Sequence, residues 1–118
     1  MKFPPLTVID TTDEAQGAGG NYQNYALCST NDQVVRISIM TEPFYWHLHP
    51  NSDETFLVIE GSLYIDLESG TVEVATGQLF TVPQNVRHRT RPKGVRSVNL
   101  TFEFAGIETV RLPPETFC

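Results

Sequence analysis

The chain has 118 residues, 40% of them hydrophobic, and a formal net charge of −6 from 14 acidic and 8 basic side chains. That length fits one domain that buries roughly two-thirds of its unfolded surface, enough for a core without cross-links. The acidic balance argues against nucleic acid and acidic membrane surfaces as partners, and no window approaches the run of about 20 apolar residues that a membrane helix needs.

In chain order the sequence reads as a barrel core over about 21–105, with an N-terminal arm, 1–20, and a C-terminal tail, 106–118. Residues 3–10 form an apolar arm broken by Pro4 and Pro5, suited to a sheet edge or to a second subunit. The opening MKFPPLTVIDTT lacks the apolar run of a signal peptide. Residues 11–21, rich in Gly, Thr and Asp, read as a flexible loop, because no segment there combines a cap with a periodic apolar face. Strands are predicted over 21–29, 33–40, 44–49, 54–60, 63–67, 71–75, 79–82, 86–91 and 96–104. The last alternates most clearly: Val98, Leu100, Phe102 and Phe104 share one face, and Ser97, Asn99, Thr101 and Glu103 the other. Short strands separated by turn residues point to an all-β sandwich or barrel.

Residues 47–61, HLHPNSDETFLVIEG, carry the chemistry. His47 and His49 are two apart, so on a strand both imidazoles leave from one face. Pro50, Asn51, Ser52 and Asp53 turn the chain, and Glu54 opens a strand that folds back toward the histidines. Two imidazoles and a carboxylate converge, a donor set suited to a divalent transition metal. Asp53 reads as a turn residue that stays in water.

The third and last histidine is His88, eleven residues after Gly77 and five after Pro83. Together, His47, His49, Glu54 and Gly61, followed by Gly77, Pro83 and His88, resemble the two motifs of the cupin family. Thr41 stands where the first motif opens with glycine, Asn85 replaces a turn glycine, and Pro92 stands where the second motif ends in asparagine. The resemblance implies a double-stranded β-helix, a jelly-roll barrel. It also implies one divalent ion (Fe, Mn, Ni, Zn or Co) held by His47, His49, Glu54 and His88. The family commonly pairs its subunits, through sheet faces or exchanged arms, so a homodimer is expected.

Strand parity predicts the pocket around that site. Tyr45 shares a face with His47 and His49, Phe56 and Val58 with Glu54, and Val86 with His88, while Leu100 and Phe102 are added from the last long strand. The expected pocket is therefore apolar and aromatic, the usual character of a small-molecule site, with Tyr45 as its acid–base or orienting group. Oxygen-dependent oxidation or cleavage of a small organic molecule is the leading expectation. Isomerase or lyase chemistry follows, and the alternative is a non-catalytic module that holds a metal and a small ligand. Arg36 and Arg96 are the cations able to reach inward. Arg87, Arg89 and Arg91 should face outward, balanced by Asp66, Glu68 and Glu73. Trp46, of opposite parity to the histidines, belongs to packing. Cys28 and Cys118 are too few for a disulfide framework, and a reducing, cytoplasmic home is the simpler expectation.

Overall fold

The computed structural model describes residues 1–17 and 20–113. Among these lie one helix, α1 (Thr11–Gln16), and ten strands: β1 (Tyr22–Thr30), β2 (Gln33–Met40), β3 (His47–Leu48), β4 (Glu54–Glu60), β5 (Ser62–Leu67), β6 (Gly70–Ala75), β7 (Leu79–Val82), β8 (His88–Pro92), β9 (Ser97–Phe104) and β10 (Val110–Arg111). They form two five-stranded sheets, β1-β2-β9-β4-β7 and β10-β3-β8-β5-β6. Every neighbouring pair is antiparallel. This is the jelly-roll, double-stranded β-helix architecture.

Two apolar clusters stabilise it, and they lie on opposite sides of the first sheet. Between the sheets, Met40, Phe56, Val58, Leu63, Ile65, Val74 and Val82 pack together. On the outer side, Leu27, Ile37, Ile39 and Val98 pack with Ala15 of α1, joined by Phe3, Ile9, Ile59 and Leu100. The arm reaches this outer face by hydrogen bonding to its own chain: Phe3 N–H donates to the Leu27 carbonyl and Lys2 N–H to the Ala26 carbonyl, each at 3.0 Å. Lys2 and the Tyr25 hydroxyl both bond Glu14, at 2.7 and 2.9 Å. β2 and the start of β9 are thus covered on their outer face as well as facing the second sheet.

That double cover corrects two expectations. Residues 11–21 were expected to be loop throughout, but 11–16 are helical. The Asp10 side chain accepts from the N–H groups of Thr12 and Asp13 and caps the helix, and Ala15 is the residue it buries. One buried alanine makes no periodic stripe. On β9 the apolar residues do not face the barrel interior. Val98 and Leu100 pack outward beneath α1, and Asn99, Thr101 and Glu103 point in. The strand expected over 44–49 pairs only at His47–Leu48, and that over 86–91 begins at His88.

The outer face of the second sheet carries the basic residues as expected. Arg89 and Arg91 both pair with Asp66 at 2.9 Å, Arg87 with Glu68 at 3.8 Å and Lys93 with Glu73 at 3.1 Å. Burial works against the Asp66 carboxylate, but Arg91, Thr71 and Arg89 hold its pKa at about 2. Trp46 contributes to the same face, with the Arg89 guanidinium 5.6 Å from its ring centre. Cys28 is a free thiol packed beside the outer cluster; Cys118 lies outside the described residues. No helix among the described residues is long and apolar enough to cross a membrane.

If the outer cluster carries as much stability as a core, Ile37→Ala, at a fully buried position, costs about 2–5 kcal/mol. Leu79→Ala, at a residue 64% exposed, stays within about 0.5 kcal/mol. Urea unfolding of the two variants checks the contrast.

Candidate metal centre

His47 and His88 are direct cross-strand partners on β3 and β8, and their ring centres lie 4.2 Å apart. His49 follows just past the end of β3. Its carbonyl accepts from Asn85 N–H at 2.8 Å, and Asn85 takes the left-handed conformation (φ 66°) that asparagine tolerates. Glu54 comes from the other sheet, where it begins β4 opposite Val82 on one side and Glu103 on the other. The four side chains are buried, and one ligand atom from each lies within 4.8 Å of the others. The structure thus brings together all four residues that the resemblance implied, and they link the two sheets. Asp53 is exposed and caps a turn, accepting from Gln84 N–H at 2.9 Å.

The orientation of each imidazole is set by a backbone carbonyl. His47 Nδ1 lies 2.8 Å from the Tyr45 oxygen, His49 Nδ1 2.9 Å from that of Glu108, and His88 Nδ1 2.9 Å from that of Val86. A carbonyl only accepts, so each Nδ1 carries the proton and each Nε2 presents its lone pair to the interior. The Glu108 carbonyl is itself held in place by Asn51, whose side chain accepts from Glu108 N–H at 2.9 Å and donates to the Gly106 carbonyl at 3.1 Å.

Lone pairs aimed at a carboxylate suit a cation. Glu54 Oε1 lies 3.2 Å from His49 Nε2 and 3.3 Å from His88 Nε2. Donor atoms about 2.0–2.2 Å from a common ion and at right or tetrahedral angles stand about 2.9–3.6 Å apart. His49 Nε2 is buried with no hydrogen bond of good geometry, the orphaned atom that an ion would satisfy.

Titration follows from the same packing. Burial, then the neighbouring His88 and His49, pushes His47 down to about 4. Burial would also lower His49, but the Glu54 carboxylate 3.2 Å from its Nε2 favours the charged ring and raises its pKa. Burial would raise Glu54, yet the His49 and His88 rings beside it, each a donor to it once protonated, hold its carboxylate well below the usual range. Glu103 is pushed up to about 7 by burial and by the charge of Glu54 beside it.

The cluster opens on a cavity of about 240 Å³. Of the pocket residues expected from parity, Tyr45 and Phe56 line it. Val58 and Val86 belong to the apolar end of the barrel. Leu100 packs in the outer cluster, and Phe102 borders a shallow outer groove with Gln33 and Phe104. The physical reason is the inverted first sheet: its inner face contributes Asn24, Arg36, Ser38, Asn99, Thr101 and Glu103. Tyr22, Phe44, Thr90, Ile107 and Thr109 complete the wall. The wall is therefore largely polar. Its signal was present as the polar half of the β9 alternation, which a solvent-facing assignment concealed. Of the two inward candidates, Arg36 reaches the cavity. Arg96 instead pairs with Glu60 at 2.8 Å and bonds the Ala15 carbonyl at the end of α1.

Two facing antiparallel sheets that bury three histidines and a glutamate define a small β-barrel class with a candidate metal site between its layers. Residues 36–102 match the family model of the cupin domain, and the chain belongs to the cupin family. It is 39% identical over 90 residues, 75% of this chain and 79% of the relative, to the uncharacterized protein YdbB of Bacillus subtilis. Among solved structures, a cupin-2 domain protein of Shewanella frigidimarina superposes with a TM-score of 0.77 at 24% identity, covering 82% of this chain and 94% of that one. The DMSP lyase DddQ of Ruegeria pomeroyi does so with a TM-score of 0.70 at 18% identity, over 86% of this chain and 59% of that one. These superpositions compare folds.

Metal binding needs every Nε2 unprotonated. His47 meets that need down to about pH 4, whereas the raised His49 takes up a proton at higher pH. Below its pKa one proton competes, and affinity falls by about tenfold per pH unit. Calorimetric titration with zinc from about pH 8 to about pH 5 reads this slope; a flat profile would mean that the histidines are not ligands. Asn51→Ala should weaken zinc affinity by about 10–100-fold by releasing the carbonyl that orients His49. The melting temperature of the metal-free protein should change little.

Proposed function

We propose that this chain is a metal-dependent enzyme acting on a small polar organic molecule, with one divalent ion held by His47, His49, Glu54 and His88. What carries the reading is the junction of that cluster with a polar cavity. A purely structural metal site is normally walled off by its ligands, whereas this one faces space for a ligand. Iron, manganese, nickel, zinc or cobalt would each suit the donors. A bound ion would supply Lewis-acid polarisation of a substrate oxygen or, for a redox metal, a centre for oxygen-dependent chemistry.

The chain's own groups favour one branch. Tyr45, Tyr22 and Glu103 on the wall are able to hold or pass a proton, and Asn24, Asn99 and Thr101 are able to orient a polar substrate. That wall supports isomerisation or elimination over the oxidative cleavage that an apolar lining would favour. Phe44 and Phe56 place apolar rings beside His47 and His88, at 5.2 and 6.4 Å between ring centres. At about 240 Å³ the cavity is below the roughly 300–1,000 Å³ of drug-sized pockets, so the substrate is small.

The proposed assembly is a homodimer. Leu6 and Val8 of the arm stand fully in solvent, at 107% and 96% exposure, apolar residues that a second copy would cover.

The test loads the purified protein with each metal in turn and incubates it in heavy water with short hydroxy and keto acids. Deuterium incorporated at substrate carbon supports proton-transfer chemistry, oxygen consumption supports the oxidative branch, and binding with neither supports a ligand-holding module. Light scattering at micromolar concentration should give twice the chain mass, and a monomer would refute the dimer.

A further inference from the structure

Among the residues that line the cavity, Arg36 is the one arginine or lysine. The outer side of β2 is apolar, with Ile37 and Ile39 in the cluster beneath α1, so strand parity sends Arg36 and Ser38 inward. Arg36 has not found a full set of partners there. Among the described residues its guanidinium makes one hydrogen bond, from Nη1 to Asn24 Oδ1 at 3.2 Å. Its Nε stands 3.6 Å from Glu103 Oε2, beyond hydrogen-bond reach. A guanidinium has five N–H donors in a planar fork, and the side chain is 35% exposed. Ion pairing to Glu103 alone would be expected to draw the two groups into direct contact, as Arg89 and Arg91 do with Asp66 at 2.9 Å.

The remaining donors fit the shape of a carboxylate, which a guanidinium binds through two parallel hydrogen bonds. Glu103 also relates the two ends of the cavity, for it is the cross-strand partner of Glu54 and lies beside Arg36. Given the metal-dependent reading of the cluster, on which this inference rests, we infer that Arg36 is the residue that selects the substrate. The substrate class is a short carboxylate with a second oxygen function, hydroxyl, keto or carboxylate, at the end that meets the histidines. With a divalent ion offsetting the Glu54 carboxylate and Arg36 facing Glu103, a substrate anion would meet a cationic contact at each end of the cavity.

The experiment uses the full chain loaded with zinc, with lactate, malate and malonate as probes and lactamide as the uncharged control. Zinc affinity is measured first and separately. The wild type should bind at least one carboxylate about tenfold more tightly than lactamide, and Arg36→Gln should remove that preference while leaving lactamide affinity unchanged. Arg36→Lys, which keeps the charge but loses the fork, should fall between the two and guards against a folding defect in the first variant. A carboxylate bound only through the metal would be insensitive to Arg36→Gln, so a preference retained in that variant overturns the inference. So does a wild type that binds zinc but shows no preference, or that prefers inorganic phosphate to every carboxylate. Failure of the wild type to bind zinc would instead overturn the reading of the cluster.

Discussion

Three backbone carbonyls decide what the barrel interior is able to do. An imidazole on a strand can turn either nitrogen inward, and only one choice leaves a lone pair free. Here the carbonyls of Tyr45, Glu108 and Val86 each accept a hydrogen bond from Nδ1–H, and Nε2 of His49 and His88 stand 3.2 and 3.3 Å from Glu54 Oε1. The carboxylate then faces the lone pairs of two rings at once. The cluster is strained in composition rather than in geometry: acceptors face an acceptor, and either a proton or a cation must stand between them. The opposed titration of His47 and His49 expresses this: burial disfavours charge on His47, while Glu54 favours it on His49.

The cluster sits where the fold divides the interior along its length. One end is filled with Met40, Val58, Leu63, Ile65 and Val74; the other is left hollow and polar. The first sheet tolerates a polar inner face because its apolar residues are used on the outside, beneath α1 and the arm. Short as it is, the helix therefore has a consequence for the site. By covering Ile37, Ile39 and Val98 from without, it frees Arg36, Ser38, Asn99 and Thr101 to point within. Close packing at Gly61 keeps the same sheet in register: a Cβ there would stand 2.6 Å from the Arg96 carbonyl, and the residue sits at φ 70°, where glycine is unstrained.

Much of this was legible from residues alone. Gln33–Met40, Glu54–Glu60 and Leu79–Val82 follow from β-branched runs bounded by turns, and the histidine spacing pointed to one convergent site. The cavity wall was not legible, because alternation reports two faces without saying which is inside. On β9 the usual assignment of apolar to the interior holds only if the other face meets water. Here it meets a cavity, and the apolar face meets α1. That helix was hidden for a related reason: TTDEAQ buries a single alanine, and its capping residue, Asp10, resembles any loop aspartate. The arm's apolar residues were visible, but their division was not: Phe3 and Ile9 are packed down, while Leu6 and Val8 are free.

The path from Asn51 to His49 places part of the site outside the segment that defines the family. The cupin match ends at residue 102, and all four ligand side chains lie before that point. The carbonyl that fixes the tautomer of His49 belongs to Glu108, and Thr109 stands 3.2 Å from the same ring nitrogen. A fragment trimmed to the matched boundaries, or a transplant of the four side chains onto another barrel, would carry every donor but leave one of them free to turn its wrong nitrogen inward. The unit that would be inherited, exchanged or engineered intact is therefore longer than the motif by which it is recognised.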